Sequence, residues 1–134
     1  MASPPIVISE NTTIDEAASI MWEKGVGSLI VVDQDGMMVG IFTERDLVFT
    51  VSKSMTGRGV PVSSVMSKTK FKISPNQNLV SAVELMHKAG IKHLPVVDRA
   101  GKPVGMISMR DALDISGPVL KAMLQSSRWR RTDA

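Results

Sequence analysis

Two short stretches combine a hydroxyl residue with an acid at the spacing of a helix N-terminus. Thr43 precedes Asp46 by three positions, and Ser108 precedes Asp111 in the same way. Glycine and two apolar residues come first in each stretch, which suits a strand that ends where the helix begins. A carboxylate can accept hydrogen bonds from both hydroxyls of a ribose, and the free N–H groups of a helix start favour a phosphate. The two corners therefore predict a site for a sugar and a phosphate.

The same spacing is also that of an ordinary helix cap, and a cap is inherited together with its helix. Arg45 and Arg110 lie inside the two corners and are either solvated helix residues or contacts to a phosphate or a dimer partner. Capping and binding are compatible, so both interpretations stay open at this point.

The corners belong to a longer repeat. Shifting the chain by 65 positions aligns residues 1–48 with 66–113 without a gap, and about a third of the aligned pairs are identical. A single unit of this size would bury only about 60% of its chain surface and would be marginally stable. We therefore predict two copies of one unit that share a common core.

Each copy predicts the element order β-α-β-β-α. In the first copy the predicted elements are a strand at 6–8, a helix from Thr13 to Gly25, strands at 29–32 and 37–42, and a helix from Thr43 to about Val51. In the second they are a strand at 71–73, a helix from Leu79 to Gly90, strands at 94–97 and 104–107, and a helix from Met109. The predicted fold class is α/β (α+β), with unit 1 at 1–52, a linker at 53–65, unit 2 at 66–116, and a C-terminal helix and basic tail at 117–134.

Composition indicates an ordinary globular protein and excludes some classes of site. The chain of 134 residues contains no cysteine, so a disulfide or a thiolate metal site is excluded. We read neither a secretory signal nor a membrane span, and expect a cytoplasmic protein. The net charge of +3 includes the arginines around Trp129, which form either a disordered basic end or a contact to nucleic acid.

Taken together, these features resemble the cystathionine-β-synthase (CBS) domain family, and specifically a stand-alone CBS pair, or Bateman module. The motifs that carry the resemblance are GIFTERD at 40–46, GMISMRD at 105–111 and IKHLPVVD at 91–98, within the tandem repeat. The resemblance implies two units packed about a pseudo-twofold axis, with two clefts that bind AMP, ADP or ATP, and in some members S-adenosylmethionine or NAD. It also implies a regulatory homodimer without catalytic residues or a metal.

The resemblance assigns roles to particular residues. Asp46 and Asp111 match the acid that contacts ribose, and Thr43 and Ser108 match the hydroxyl beside it. Lys92 and His93 match basic positions that contact phosphate, although His93 is also compatible with a structural role. The segments matching the lining of the base pocket are Ile73, Ser74 and Pro75 together with Leu94 and Pro95.

The first unit departs from this pattern, since Gly27 and Ser28 stand where the second has Lys92 and His93. Its cleft is therefore expected to be weaker, selective for another ligand, or empty. This departure supports an alternative function, a dimerising scaffold with vestigial clefts. An unidentified regulated protein is the expected partner, and an enzyme is the least favoured class.

Overall fold

The computed structural model describes residues 5–68 and 72–109. The elements are β1 (Val7–Ser9), α1 (Ile14–Lys24), β2 (Ser28–Val32), β3 (Met38–Thr43), α2 (Glu44–Ser52), a 3-10 turn (Val62–Ser64), α3 (Leu79–Ala89), β4 (His93–Val97) and β5 (Pro103–Ser108). The predicted β-α-β-β-α order of the first unit is confirmed. In the second unit the predicted last helix begins at Met109, and its remainder, like 110–134 as a whole, lies outside the described residues.

The first unit builds its sheet in the order β1-β2-β3, with β1 parallel and β3 antiparallel to β2. The run of β-branched residues in β2 favours a strand. The turn between β2 and β3 is closed by Asp33, whose Oδ1 accepts from the N–H groups of Asp35 and Met37 at 2.9 and 3.1 Å. Gly36 supplies the positive φ of 82° that this turn requires.

Helix α1 begins and ends where the sequence predicts. Thr13 and Glu16 form a reciprocal capping box, and Gly25 ends the helix with a φ of 65°. The two hydrogen bonds from Thr13 to the Glu16 carboxylate hold the pKa of Glu16 below its usual range, because they favour the charged form. Ile14, Ala17 and Met21 form the buried face of the helix.

The second unit repeats this plan where it is described. Asn78 caps α3, Gly90 ends it with a φ of 69°, and β4 pairs antiparallel with β5. In the described part of the strand predicted at 71–73, Ile73 forms a parallel bridge with Val96, and Phe71 lies outside the described residues. Ile73 thus takes the place beside β4 that β1 takes beside β2.

The segment predicted as a linker is part of the first unit's packing. The N–H of Ile14 donates to the Val60 carbonyl at 2.9 Å, and the N–H of Val62 donates to the Thr12 carbonyl at 2.7 Å. Val62 is fully buried in the core of the first unit. Glycines and proline correctly indicate a loop here, but the loop also carries apolar residues that close the first unit's core.

The prediction of one shared core is wrong for the described residues. Most of their buried apolar side chains form two clusters, one within each unit, whereas Ile30, Ile41, Pro95 and Val97 are buried outside both clusters. The physical reason is that each unit closes a core of its own between its helix and its sheet, and Val62 completes the core of the first. Ile30 and Pro95, which are equivalent in the repeat, lie on the opposite faces of the two sheets and are also fully buried, which indicates that the units pack against each other there.

Equivalent residues of the two units meet on those faces. Ser28 and His93 are 65 positions apart and therefore occupy the same place in the repeat, and Ser28 Oγ lies 3.2 Å from His93 Nδ1. A contact between two equivalent side chains is expected where an approximate twofold axis passes between them. The expected pseudo-twofold arrangement is thus confirmed, and the axis runs between the starts of β2 and β4.

Candidate functional site

Two clefts flank this axis, with volumes of about 760 and 700 Å³. The first, the basic cleft, is lined by Ile41, Thr43, Glu44, Arg45, Ser67, Lys68, Gly90, Ile91, Lys92 and His93. The second, the methionine cleft, is lined by Ile6, Met21, Trp22, Gly25, Val26, Gly27, Ser28, Glu44, Lys92, His93, Met106, Ser108 and Met109. Seven lining residues of the basic cleft have their repeat equivalent, 65 positions away, in the methionine cleft. The clefts are therefore two versions of one site.

The strand-to-helix corner at Thr43 forms one edge of the basic cleft. Thr43 caps α2 by accepting from the Asp46 N–H at 3.3 Å, while Asp46 Oδ2 accepts from the Thr43 N–H at 2.9 Å and from its hydroxyl at 3.1 Å. Asp46 Oδ1 accepts from the Ser67 hydroxyl at 3.2 Å. The helix cap is thus present, and it also orders two hydroxyl groups, of Thr43 and Ser67, that line the cleft.

Close backbone packing brings Ser67 to this corner. The N–H of Ser67 donates to the Ile41 carbonyl and the N–H of Ile41 donates to the Ser67 carbonyl, both at 2.9 Å, so Ser67 pairs with β3. A Cβ at Gly40 would lie 2.7 Å from Met66 Sδ and 2.9 Å from the Ser67 carbonyl oxygen. The glycine before the corner therefore allows the chain to cross β3 and places Lys68 at the cleft.

Three residues form a wall common to both clefts: Glu44, Lys92 and His93. Glu44 is the first residue of α2, and its N–H donates to the Gly27 carbonyl at 3.1 Å. Its carboxylate reaches over Gly27, where an added Cβ would lie 2.7 Å from Glu44 Oε1 and 3.5 Å from His93 Cε1. One acid and two basic side chains therefore stand between the two sites.

The basic cleft suits an anion. Three cationic side chains, Arg45, Lys68 and Lys92, line it together with one carboxylate, and Arg45 and Lys68 are exposed to solvent. The N-terminal end of α2 adds the partial positive charge of a helix start. Ile41 and Ile91 provide apolar lining beside these groups. A ligand with both an anionic and an apolar part matches this composition.

The structure brings part of the predicted site together. Thr43, Arg45, Lys92 and His93 line the basic cleft, and Ser108, Lys92 and His93 line the methionine cleft. Asp46 lies directly behind Thr43, bonded to two lining hydroxyls. Arg110 and Asp111 lie outside the described residues.

The sequence predicts five residues in the lining of the base pocket. The side chains of Ile73 and Leu94 belong to the core of the second unit, and Pro95 is fully buried on the face between the sheets. Ser74 and Pro75 are exposed on the connection before α3. The side chains of Ile73 and Leu94 are turned inward because strand positions alternate between faces, and the core takes these two. None of these five residues is among the described lining of either cleft.

Several lining residues were not anticipated from the sequence. Lys68 and Ser67 follow the segment predicted as a linker, and no pattern in the sequence marks them. Glu44 and Met109 stand at the same place in the repeat, directly inside the two corner motifs, so their difference was a usable signal. The apolar lining of the methionine cleft comes partly from α1 through Met21 and Trp22, which only the fold reveals.

Two features of the described chain bear on other classes of function. In the ranges 5–68 and 72–109, no group of three or more His, Asp or Glu side chains is arranged to hold a metal ion. Within the same ranges, no helix has both the length and the apolar character needed to span a membrane.

Comparison with known families assigns the repeat. The CBS domain matches the chain twice, over residues 1–53 and 62–117. The chain belongs to the CBS domain family. The matches cover both corners, so the two units are tandem CBS units, as the resemblance implied.

Curated relatives contain the same pair in several contexts. An uncharacterised 17.7 kDa protein of Acidianus ambivalens is 37% identical over 78% of this chain, which spans 63% of that relative's length. The CBS domain-containing protein YhcV of Bacillus subtilis is 36% identical, with 83% of this chain and 78% of YhcV covered. Inosine-5′-monophosphate dehydrogenase of Nitrosopumilus maritimus is 34% identical over 83% of this chain, but this region is 22% of the enzyme.

Solved structures share the fold. The CBS-domain protein ATU1752 of Agrobacterium tumefaciens is 30% identical, with a TM-score of 0.75 and 84% and 89% of the two chains covered. The CBS domain pair of protein MJ0100, in complex with 5′-methylthioadenosine and S-adenosyl-L-methionine, is 26% identical with a TM-score of 0.80, covering 87% of this chain and 91% of that one. A Pyrobaculum aerophilum CBS domain protein complexed with AMP, 24% identical with 95% of each chain covered and a TM-score of 0.81, shows the common fold alone.

Proposed function

We propose that this protein is a regulatory module that binds adenine nucleotides, AMP, ADP or ATP, in the clefts between its two CBS units. The observation that carries the proposal is the basic cleft, where an ordered hydroxyl pair, three cationic side chains and a helix N-terminus converge. The MJ0100 pair, bound to two adenine nucleosides, supports the choice of ligand class. A cytoplasmic location remains a prediction from the cysteine-free sequence.

The corner can exchange its hydrogen bonds for those of a ribose. Asp46 Oδ2 is held by Thr43, whereas Oδ1 accepts only the longer bond from the exposed Ser67 hydroxyl, among the described residues. A ribose hydroxyl can replace the Ser67 bond without breaking the helix cap. Ser67 also pairs with β3, so binding at Asp46 acts on the segment that enters the second unit. Ligand binding would then shift the two units relative to each other, and a partner or a dimer would respond to that shift.

The binding residues that we propose include some whose placement is not described. They are Thr43, Arg45, Asp46, Lys92, His93, Ser108, Arg110 and Asp111, joined by Glu44, Ser67 and Lys68. We also propose base contact by Ser74 and Pro75 and by the main chain of Ile73, Leu94 and Pro95. We propose binding and not catalysis as the activity.

A thermal-shift panel tests the proposal directly. A ligand that binds only the folded protein at 100 times its Kd adds about 2.7 kcal/mol of stability, which is a rise in melting temperature of about 10 °C for a domain of this size. The panel comprises AMP, ADP, ATP, NAD and S-adenosylmethionine, with cytidine triphosphate as a control for charge alone. Absence of a shift with every adenine ligand would refute the proposed function.

Asp111→Ala tests the second corner. We expect a roughly 10- to 100-fold weaker nucleotide affinity in calorimetry, because a hydrogen bond to a charged group contributes about 1.5–3 kcal/mol. An unchanged dissociation constant would remove Asp111 from the site.

A second candidate function is a dimerising scaffold. The observation favouring it is the exposed apolar surface of α2, where Val48 and Val51 lie one turn apart with 67% and 61% of their surface exposed, beside Phe49. Trp22 on α1 is 88% exposed. Such residues are typical of a contact with another chain, so we propose a homodimer in either case. Sedimentation of the parent and of Val48→Lys measures the oligomeric state. The scaffold function is favoured if Val48→Lys dissociates into monomers while no ligand of the thermal-shift panel raises the melting temperature of the parent.

Nucleic-acid binding through the tail is a third, weaker candidate. Its residues, Arg128 to Arg131, lie outside the described part of the chain. It predicts salt-sensitive binding that disappears when the chain is truncated after Ser127.

A further inference from the structure

The two clefts occupy equivalent places but differ in the residues that the repeat puts there. Four positions change chemical character between the basic cleft and the methionine cleft, whereas the arginine of the corner is the same in both. With the basic-cleft position given first, the changed pairs are Lys92 and Gly27, His93 and Ser28, Lys68 and Ser3, and Glu44 and Met109. The unchanged pair is Arg45 and Arg110. Ser3 and Arg110 enter here as sequence equivalents only, since they lie outside the described residues.

From this difference we infer that the clefts bind two classes of ligand. The basic cleft takes a nucleoside phosphate, and the methionine cleft takes an adenine nucleoside that carries no phosphate. The inference rests on the proposed function, because it assumes that the clefts bind adenine nucleosides.

Charge determines the preference of the basic cleft. Lys68 adds a cation to its lining where the repeat has Ser3 in the other copy, whereas the corner arginine is common to both copies. Lys68 and Arg45 line the cleft together with Thr43 at the N-terminus of α2. Charge-assisted hydrogen bonds from such groups are the strong contacts of a phosphate, and each additional phosphate brings further acceptors. The affinity is therefore expected to increase from adenosine to ATP.

The methionine cleft has three methionines in its apolar lining. Met21 is buried, Met106 and Met109 are partly buried, and Ile6 and Val26 continue the surface that they form. Thioether sulfurs make favourable contacts with aromatic rings, and Trp22 at the rim offers a flat face for stacking. A purine matches this surface on chemical grounds.

Among the described residues, a phosphate in the methionine cleft would meet fewer cationic side chains than in the basic cleft. Lys92 lines this cleft, but so does Glu44. The Glu44 carboxylate lies over Gly27, and the equivalent of Gly27 in the basic cleft is Lys92. An anion placed between them loses hydration and gains one cation at the cost of one repulsive acid. The wall of Glu44, Lys92 and His93 therefore presents a different balance of charge to each side.

Trp22 makes the two clefts distinguishable in solution. It lines the methionine cleft, and the other tryptophan of the sequence, Trp129, is removed by Trp129→Phe. In this background we expect adenosine to change the Trp22 fluorescence. ATP should bind in calorimetry while leaving that fluorescence unchanged at concentrations that saturate the basic cleft.

Two substitutions that exchange residues between equivalent positions of the repeat provide the decisive comparison. Lys68→Ser installs the residue of the equivalent position, and we expect about tenfold weaker ATP binding with adenosine binding within twofold of the parent. Gly27→Lys installs the equivalent cation, and we expect ATP to gain an effect on Trp22 fluorescence. Gly27→Ala is its control, because it also displaces the Glu44 carboxylate but adds no charge.

The outcomes separate this inference from the proposed function. Preserved ATP affinity in Lys68→Ser, or equal responses of Trp22 to ATP and adenosine in the parent, would overturn the assignment while nucleotide binding itself stands. Failure of both ligands to bind any variant would overturn the proposed function and this assignment with it. If Gly27→Lys fails to fold, as judged by circular dichroism, the Lys68→Ser and parent measurements still decide the question.

Discussion

Replacing Asp46 by alanine separates the two roles that the Thr43 corner combines. The carboxylate closes the capping box of α2 and accepts from the hydroxyls of Thr43 and Ser67. As a cap, it contributes to the stability of the fold. As a ligand contact, it would hold the ribose. Asp46→Ala removes both roles, so the experiment needs a residue that has only the first.

Glu16 is that residue. It closes a capping box with Thr13 in which all three hydrogen bonds between Thr43 and Asp46 have their counterparts. It lies in the first turn of α1 and is not among the described lining residues of either cleft. Glu16→Ala therefore reproduces the loss of the cap without touching the proposed site.

The expected magnitudes follow from these contacts. Loss of a capping interaction costs about 1 kcal/mol, so the melting temperature of Asp46→Ala should fall by about 4 °C. Loss of a charged partner for a ribose hydroxyl should weaken ATP binding by roughly 10- to 100-fold. Glu16→Ala should also melt earlier than the parent, but its ATP affinity should stay within twofold.

Differential scanning calorimetry and isothermal titration at 25 °C measure the two effects on the same samples. Asp46→Asn adds an intermediate point, because the amide oxygen can still accept from the Thr43 N–H but carries no charge. The reasoning is refuted if Asp46→Ala binds ATP as tightly as Glu16→Ala does. Asp46 would then be a cap alone.

Three further expectations concern stability. Val62→Ala should destabilise the fold by about 2 kcal/mol, because it removes two buried carbons and leaves a cavity. Val51→Ala is the control and should have little effect, since 61% of Val51 is exposed. Equal urea midpoints for the two variants would show that the segment before the second unit is only a connection. Gly40→Ala should cost about 1–3 kcal/mol, since its Cβ would meet Met66 Sδ and the Ser67 carbonyl, and an unchanged thermal midpoint would contradict the close crossing at β3. Glu16→Gln should lower the melting temperature at pH 7. The difference from the parent should shrink as the pH falls through the depressed pKa of Glu16, because the hydrogen bonds from Thr13 that lower this pKa stabilise the ionised carboxylate. A difference in melting temperature that is independent of pH would refute the capping origin of the pKa shift.

Local patterns were sufficient to predict most of the elements. Thr13 with Glu16, and Gly25 and Gly90 with their positive φ, fix helix ends by contacts within a few residues, which a sequence displays directly. The antiparallel hairpin at Asp33 follows from the same kind of short-range chemistry. The family assignment was likewise available, because the repeat places the same motif twice.

Long-range contacts were the part that the sequence did not reveal. The packing of Val62 against the first unit depends on a chain reversal that no local pattern announces. The inward orientation of Ile73 and Leu94 depends on which strand face the core occupies. Lys68 joins the basic cleft only because Ser67 pairs with β3 across 26 positions of sequence, from 41 to 67.

The contact between Ser28 and His93 has a consequence for how the two halves could diverge. A side chain on a symmetry axis faces its own copy, so identical residues there would have to be compatible with themselves. A single substitution at that place ends this self-pairing and alters the surroundings of both halves in one event. Two copies that began alike can thus acquire separate tasks through one change at their meeting point, while the scaffold that relates them is retained.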